Sequence, residues 1–431
     1  MSLIIKPFKK LFSKLIPSIY LRDSSARVSI YKWLLIGFLI RLFLMPIIIH
    51  GDLLKIYWRA SLIAYHNRPM VGSGQLFIHY LHVLFLWIFK PLMPHFDEII
   101  TPELYTKAMA WFVSYPHIFR TLFLFKLPYL IFDLGCAFIL LHIFQNRKKG
   151  LGAFIFWMVN PIVIFATYMW GRYECIAVFF ILLSLYYAKN NLFSKSLFCL
   201  GMSIITRWYP FILLPFFVVI LERKLWGQIK LAFWGLFPLG IITVLGKLFQ
   251  RPNEMREMIK IHHANYLFGM KFYLVHLHDY IFVFIVGYTF FLLYAYFETN
   301  HSFENLQRSG CVVMLLFFAT CFFHPQYFMW LIPFLAFQVV ENRKFLTLFI
   351  IQVLCFIVYT FQWGSDTAGR FFTPISYSYF MHLHTPSQII NRYYPIANFI
   401  GIFRSIFSGV SLLMVYLILR ESFTRRKGIV L

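Results

Sequence analysis

The chain has 431 residues, of which 60% are hydrophobic, 21% aromatic and only 13% charged. An ordinary soluble domain is about 45–50% apolar and about 25% charged, so no soluble core can bury this much apolar surface. Lipid must be the solvent for much of the chain, which excludes a secreted, cytosolic or disordered protein. The net charge of +24, from 40 Lys and Arg against 16 Asp and Glu, is not read as a nucleic-acid footprint. Basic residues beside apolar spans mark the cytoplasmic face and its anionic lipids.

At roughly 20 residues per crossing, the composition predicts an all-α, polytopic integral membrane protein with about 10–12 transmembrane helices. Residues 1–30 read as a basic cytoplasmic segment, in which Lys6, Lys9, Lys10 and Lys14 alternate with Phe8, Leu11, Phe12, Leu15 and Ile16 like a helix lying on the membrane. Residues 31–419 form one transmembrane domain, and 420–431 a basic cytoplasmic tail. The first span is predicted near 31–49. The apolar run 76–92 is placed on the membrane surface, because if it crossed, Arg147, Lys148 and Lys149 would fall outside. Residues 50–120 then become one large external loop carrying surface helices.

Further spans are predicted near 121–144, 151–170, 173–188, 229–248, 279–297, 309–323, 327–340, 345–362 and 395–419. The segment 197–221 is flanked by basic loops at both ends and is broken by Arg207-Trp208-Tyr209-Pro210, so it reads as a hairpin of two short helices. With this threading Lys and Arg are roughly three times as dense on the inner segments as on the outer ones. The six cysteines lie in or beside apolar runs without a CxxC pair, as small buried hydrophobes do.

A few polar residues stand out against this background. Asp52 follows the first span by three residues, in His50-Gly51-Asp52. Partial desolvation there would raise its basicity, which suits a general base; an N-cap for the following amphipathic segment is the alternative. Asp133 falls near mid-bilayer, as a functional carboxylate or a helix–helix hydrogen-bonding residue. Asn160-Pro161 should kink its span, which ends in Trp170-Gly171-Arg172-Tyr173-Glu174. Arg172 and Glu174 form either a surface ion pair or part of a site. Arg207 needs an anion at membrane depth, a lipid phosphate or a carboxylate, unless it snorkels. His324-Pro325-Gln326-Tyr327 joins two spans as a tight turn or as donors to phosphate or sugar hydroxyls. The external His262, His263, His276 and His278 lack a zinc-ligand spacing, and no nucleotide-binding motif occurs, so neither metal nor cofactor is expected.

Five pieces in order make the chain resemble the GT-C membrane glycosyltransferases, in particular bacterial and archaeal relatives of the glycosylphosphatidylinositol mannosyltransferases. They are His50-Gly51-Asp52, Lys126-Leu127-Pro128 through Asp133, Asn160-Pro161 with Trp170-Gly171, the Arg207-Trp208-Tyr209-Pro210 break, and His324-Pro325-Gln326-Tyr327 with Trp330 and Pro333. The resemblance implies an inverting hexosyl transfer, mannosyl or another sugar, from a polyprenyl- or dolichyl-phosphate donor to a lipid- or glycan-linked acceptor on the outer face. Asp52 would be the catalytic base. Arg207, His324, Arg370 and Arg172 become candidates for the donor phosphate, and Glu174, Asp133, Gln326, Tyr327 and Trp170 for substrate. Relatives often have Trp-Gly-Gln-x-Asp where this chain has Trp170-Gly171-Arg172-Tyr173-Glu174, which adds a cation to the site. A transporter or flippase of lipid-linked saccharides is the competing reading, although no pseudo-symmetry between halves is visible. An acyltransferase or polysaccharide polymerase acting through a histidine is a third. The Phe-, Ile- and Lys-rich composition points to an AT-rich genome, and hence to a bacterial inner membrane rather than the endoplasmic reticulum.

Overall fold

The structure is a computed structural model that describes residues 14–66, 75–96, 112–248, 264–274, 279–297 and 302–426, the last five of these as backbone only. Lys6, Phe8, Lys9, Lys10, Leu11 and Phe12, the four external histidines 262, 263, 276 and 278, and residues 67–74 and 97–111 of the 50–120 loop lie outside the described residues.

The protein is an all-α polytopic membrane protein. Its only described strands are β1 (Lys271–Tyr273) and β2 (Tyr280–Phe282), paired antiparallel with Phe272 opposite Ile281. Helix α1 (Ser24–Ile47) starts where the Asp23 carboxylate accepts from Ser25 and Ala26 N–H, and it ends just past Pro46. A three-residue tether, Ile48 to His50, leads to α2 (Gly51–Ala64), followed by α3 (Leu76–Phe89) and α4 (Ile118–Ile143). Asn146 caps α5 (Arg147–Met158), and Asn160 caps α6 (Pro161–Ile164), which continues as a π-turn through Phe165–Met169. Pro161 enforces the predicted break: the two halves of this span are bent by 41°.

Then come α7 (Glu174–Lys189), α8 (Phe193–Thr206), α9 (Leu214–Leu221) behind a 3-10 turn at Tyr209–Leu213, and α10 (Leu225–Leu248). The last part is α11 (Val283–Phe297), α12 (Phe303–Thr320), a 3-10 turn at Pro325–Leu331, α13 (Ile332–Glu341), α14 (Lys344–Thr360) and α15 (Ile396–Arg426).

Among the described residues five helices are long and apolar enough to cross a membrane, or six counting the bent pair. The expected 10–12 helices include shorter apolar segments as well as these long ones. Helices of 10–17 residues, such as α3, α8 and α11, rise at most about 26 Å, less than a hydrocarbon core of about 30 Å. The predicted short-helix hairpin is present as α8 and α9, with Arg207 in extended conformation (φ −147°) at the break.

Helix α7 is central and packs on α4 and α8, while α8 also packs on α10. The last contact is backbone-close: a Cβ on Gly201 would fall 2.4 Å from Gly235 O. Small residues of this kind replace the hydrophobic drive that lipid cannot supply.

Two buried cations tie α1 to α4. Arg41 of α1 meets Asp133 of α4 with Nε 2.5 Å from Oδ2, both side chains fully buried. Lys126 donates to Met45 O (3.0 Å) and Ile48 O (2.6 Å), carbonyls that the end of α1 leaves without helical partners. Tyr57 of α2 donates to Phe125 O at 2.7 Å and stacks on the Phe125 ring. The tether leading to Asp52 is thus held at both ends by α4.

Candidate functional site

Asp52 sits in the first turn of α2, but the cap is His50, whose Nδ1 accepts from Asp52 N at 3.1 Å. The carboxylate is therefore left to point elsewhere. Trp170 Nε1 donates to its Oδ2 at 2.9 Å, and Arg172 Nε lies 3.5 Å from the same oxygen. About a third of the Asp52 side chain is exposed (32%) against 15% for Arg172, so the pair forms an edge of the site open to solvent. His50 lies face-tilted on Trp170, centroids 4.1 Å apart.

Gly171 makes this arrangement possible. Its φ of +69° turns the chain so that Trp170 and Arg172 both face Asp52, and a Cβ there would fall 2.9 Å from Leu53 Cβ.

Electrostatics at Asp52 run opposite to the raised basicity expected from the sequence. Burial does push its pKa up, but Arg172, His50, the Trp170 N–H and Arg207 together outweigh that and hold it well below the usual carboxylate range. The helix α2 N-terminus adds to the same sign.

Glu174, two residues past Arg172, does not pair with it. Its carboxylate instead receives Arg207 Nη2 on one oxygen and Trp330 Nε1 (2.8 Å) on the other. Arg207 therefore finds a carboxylate at the hairpin break, and its guanidinium also lies 4.5 Å from the Tyr173 ring centroid and 5.6 Å from that of Tyr327. Trp330 is sandwiched between Tyr209 at 3.7 Å and Tyr327 at 4.0 Å, both nearly parallel to it.

These aromatic rings and Arg207 line a cavity of about 160 Å³. Three buried donors on its wall, Arg207 Nε, Trp208 Nε1 and the Tyr209 hydroxyl, have no hydrogen-bond partner among the described residues, and neither has Gln326 Oε1. A buried polar atom without a partner costs about 1–3 kcal/mol. A hydroxyl-rich or anionic ligand would recover that cost.

His324 is half-buried at the same end, its Nε2 3.4 Å from the Tyr266 hydroxyl. Burial first, then Arg172 and Arg207, lower its pKa against Asp52 and Glu174. That shift favours the neutral imidazole, which suits a hydrogen-bond partner. His50 is lowered as well, by burial and then by Arg172 and Arg370 against Asp52 and Asp366.

The predicted residues divide into two groups. Asp52, Trp170, Arg172, Glu174, Arg207, His324, Gln326 and Tyr327 gather around the start of α2, the start of α7 and the end of α8. Arg370 is at the rim, where it pairs with Asp366 at 2.6 Å; the backbone of its neighbour Phe371 accepts from Ile49 N.

For Asp133 the structure shows the helix–helix role, one of the two the sequence offered. Its carboxylate is fully buried and takes Arg41, Trp157 Nε1 (2.7 Å) and the Tyr168 hydroxyl (2.7 Å), so it clasps helices together. Lys126, seven residues before Asp133 on the same helix, turns to the α1 carbonyls.

Sequence reasoning passed over Arg41, although a lone arginine inside the first span implies a lone acid inside another. It also passed over His50 as a cap.

No protein-family model, no curated protein and no solved structure matches this chain.

Proposed function

We propose that the chain is an inverting glycosyltransferase of the GT-C kind, moving a hexosyl unit from a polyprenyl- or dolichyl-phosphate donor to a lipid- or glycan-linked acceptor on the outer face. The observation that carries this reading is the partly exposed Asp52–Arg172 pair set beside a cavity of unpartnered donors and stacked aromatic rings. A carboxylate and cations side by side match a reaction in which a proton leaves one partner while negative charge grows on the other.

In this reading the acceptor oxygen bonds to the anomeric carbon as the carbon–oxygen bond to phosphate breaks. The bonding pair leaves on the phosphate, and Asp52 takes the acceptor's hydroxyl proton. Arg172 keeps Asp52 ionised until a phosphate competes for the guanidinium, and the freed carboxylate is then the stronger base. Arg207 offers Nε to the phosphate while Glu174 fixes its other edge. Aromatic faces at Tyr209, Trp330 and Tyr327 suit the apolar face of a sugar ring. The composition supports a bacterial inner membrane as the site of action.

The test is transfer of labelled sugar from a polyprenyl-phosphate hexose by the purified full-length protein. Asp52→Asn should lower turnover by at least about a hundredfold with the elution profile unchanged, since a general base contributes about 10²–10⁴. Turnover at the unsubstituted rate would remove Asp52 as base. Movement of the donor across vesicles without transfer would favour the flippase.

A further inference from the structure

A second, larger concavity lies away from this site, at the opposite end of α5. It is a groove of about 580 Å³ between α5 and α14, floored by Val339 and Val340 of α13. Phe156 and Phe349 meet across it with centroids 5.2 Å apart. Leu346, Ile350 and Leu354 form its outer wall and are 39%, 51% and 58% exposed, so the groove opens sideways to where lipid lies.

One end is basic. Lys148 and Lys149 stand in the first turn of α5, and Arg343 directly precedes α14. Both helices start here, so two positive helix ends converge on the same point. Glu341 takes Lys149 at 2.7 Å, while among the described residues no carboxylate pairs with Lys148 or Arg343. From Lys148 to Val159 the helix rises about 16 Å, close to one leaflet's half of a hydrocarbon core of about 30 Å.

We propose that this groove binds an anionic phospholipid of the leaflet on the basic face. Its phosphate would sit between Lys148 and Arg343, and one acyl chain would fill the apolar channel along Gly152, Ile155 and Val159. Basic pockets between membrane helices select anionic head groups in this way, with each cation near the surface contributing about fivefold. The proposal is independent of the outer-face chemistry.

The full-length protein is reconstituted into vesicles of equal dioleoyl-phosphatidylglycerol and dioleoyl-phosphatidylcholine, extracted in detergent, and its retained lipid measured by mass spectrometry. Phosphatidylglycerol should be enriched at least about fivefold, and Lys148→Gln with Arg343→Gln should bring the ratio to near one. Gly152→Phe, whose ring would enter the channel beside Val340 (a Cβ there already lies 3.2 Å from Val340 Cγ1), should lower retention of both lipids. Equal retention by the unsubstituted protein, or enrichment that survives the double substitution, would overturn the proposal. So would release of the lipid by millimolar inorganic phosphate, which would show a phosphate site without a lipid channel.

Discussion

Asp133→Leu would remove one half of the buried clasp between α1 and α4. The carboxylate accepts from Arg41 Nε (2.5 Å) and Nη2 (3.4 Å), Trp157 Nε1 (2.7 Å) and the Tyr168 hydroxyl (2.7 Å). Stranding one partner of a buried ion pair costs about 3–5 kcal/mol. Each neutral donor left without an acceptor adds about 1–3 kcal/mol. Part of that is relieved. Trp157 Nε1 is also 3.2 Å from Asp133 O, which the substitution leaves in place. Arg41 Nη1 keeps Gly37 O at 2.9 Å and Met158 O at 2.7 Å. The expected loss is therefore about 4 kcal/mol, within the range for a broken buried pair. Arg41→Met strands the acid while leaving it two donors, for about 3 kcal/mol. The double variant removes both charges, and chiefly the Tyr168 hydroxyl loses its partner, for about 2 kcal/mol. Unfolding of the three variants in mixed micelles by detergent titration gives the cycle. A double variant as unstable as the sum of the singles would refute the pairing as the source of the stability.

Three other outcomes are expected. Gly171→Ala places a Cβ at φ +69° and 2.9 Å from Leu53 Cβ; the backbone cost is about 1–2 kcal/mol, and displacement of Trp170 and Arg172 should cut sugar transfer at least tenfold, so an unchanged rate would contradict the role of the turn. Arg172→Gln takes away the largest of the groups that lower the Asp52 pKa, so the acid limb of the transfer rate against pH should move to higher pH, and a limb that stays in place would show that the pair does not set it. His50 and His324 have folded pKa values lowered by burial. The unfolded chain then binds protons below about pH 6.5 that the folded chain does not, so stability is complete above that pH and falls as pH drops through it. Melting temperatures at pH 5, 6, 7 and 8 should decline on the acid side, with a shallower decline in His50→Gln; a flat profile would exclude the effect.

The features legible in the sequence are those where one residue is out of place in its own segment. Arg207 beside Pro210 inside an apolar run announces a break, and Asn160-Pro161 announces both a cap and a kink; the helices end and bend there. Asp52 could be singled out because little else polar stands so close to a span. Its electrostatics could not be read, because Arg172 and Trp170 reach it from about 120 residues away in the chain and only the fold sets a distance. Asp133 could not be assigned one role for the same reason. A lone acid at membrane depth signals a partner, but periodicity does not say whether that partner is a substrate or Arg41 on another helix. How the apolar residues are divided among long and short helices could not be read, because hydropathy counts apolar residues without seeing where a cap or proline divides them.

The turn from Trp170 to Glu174 has one more consequence. It supplies two of the ligands of Asp52 and, four residues on, the carboxylate that holds Arg207. An extended chain covers at most about 3.5 Å per residue, so these two groups of charges hang on a backbone no longer than about 14 Å. The segment works as a ruler. A molecule that touches both groups at once must fit its length, and a single inserted residue would lengthen it by a quarter and put the two charge pairs out of register.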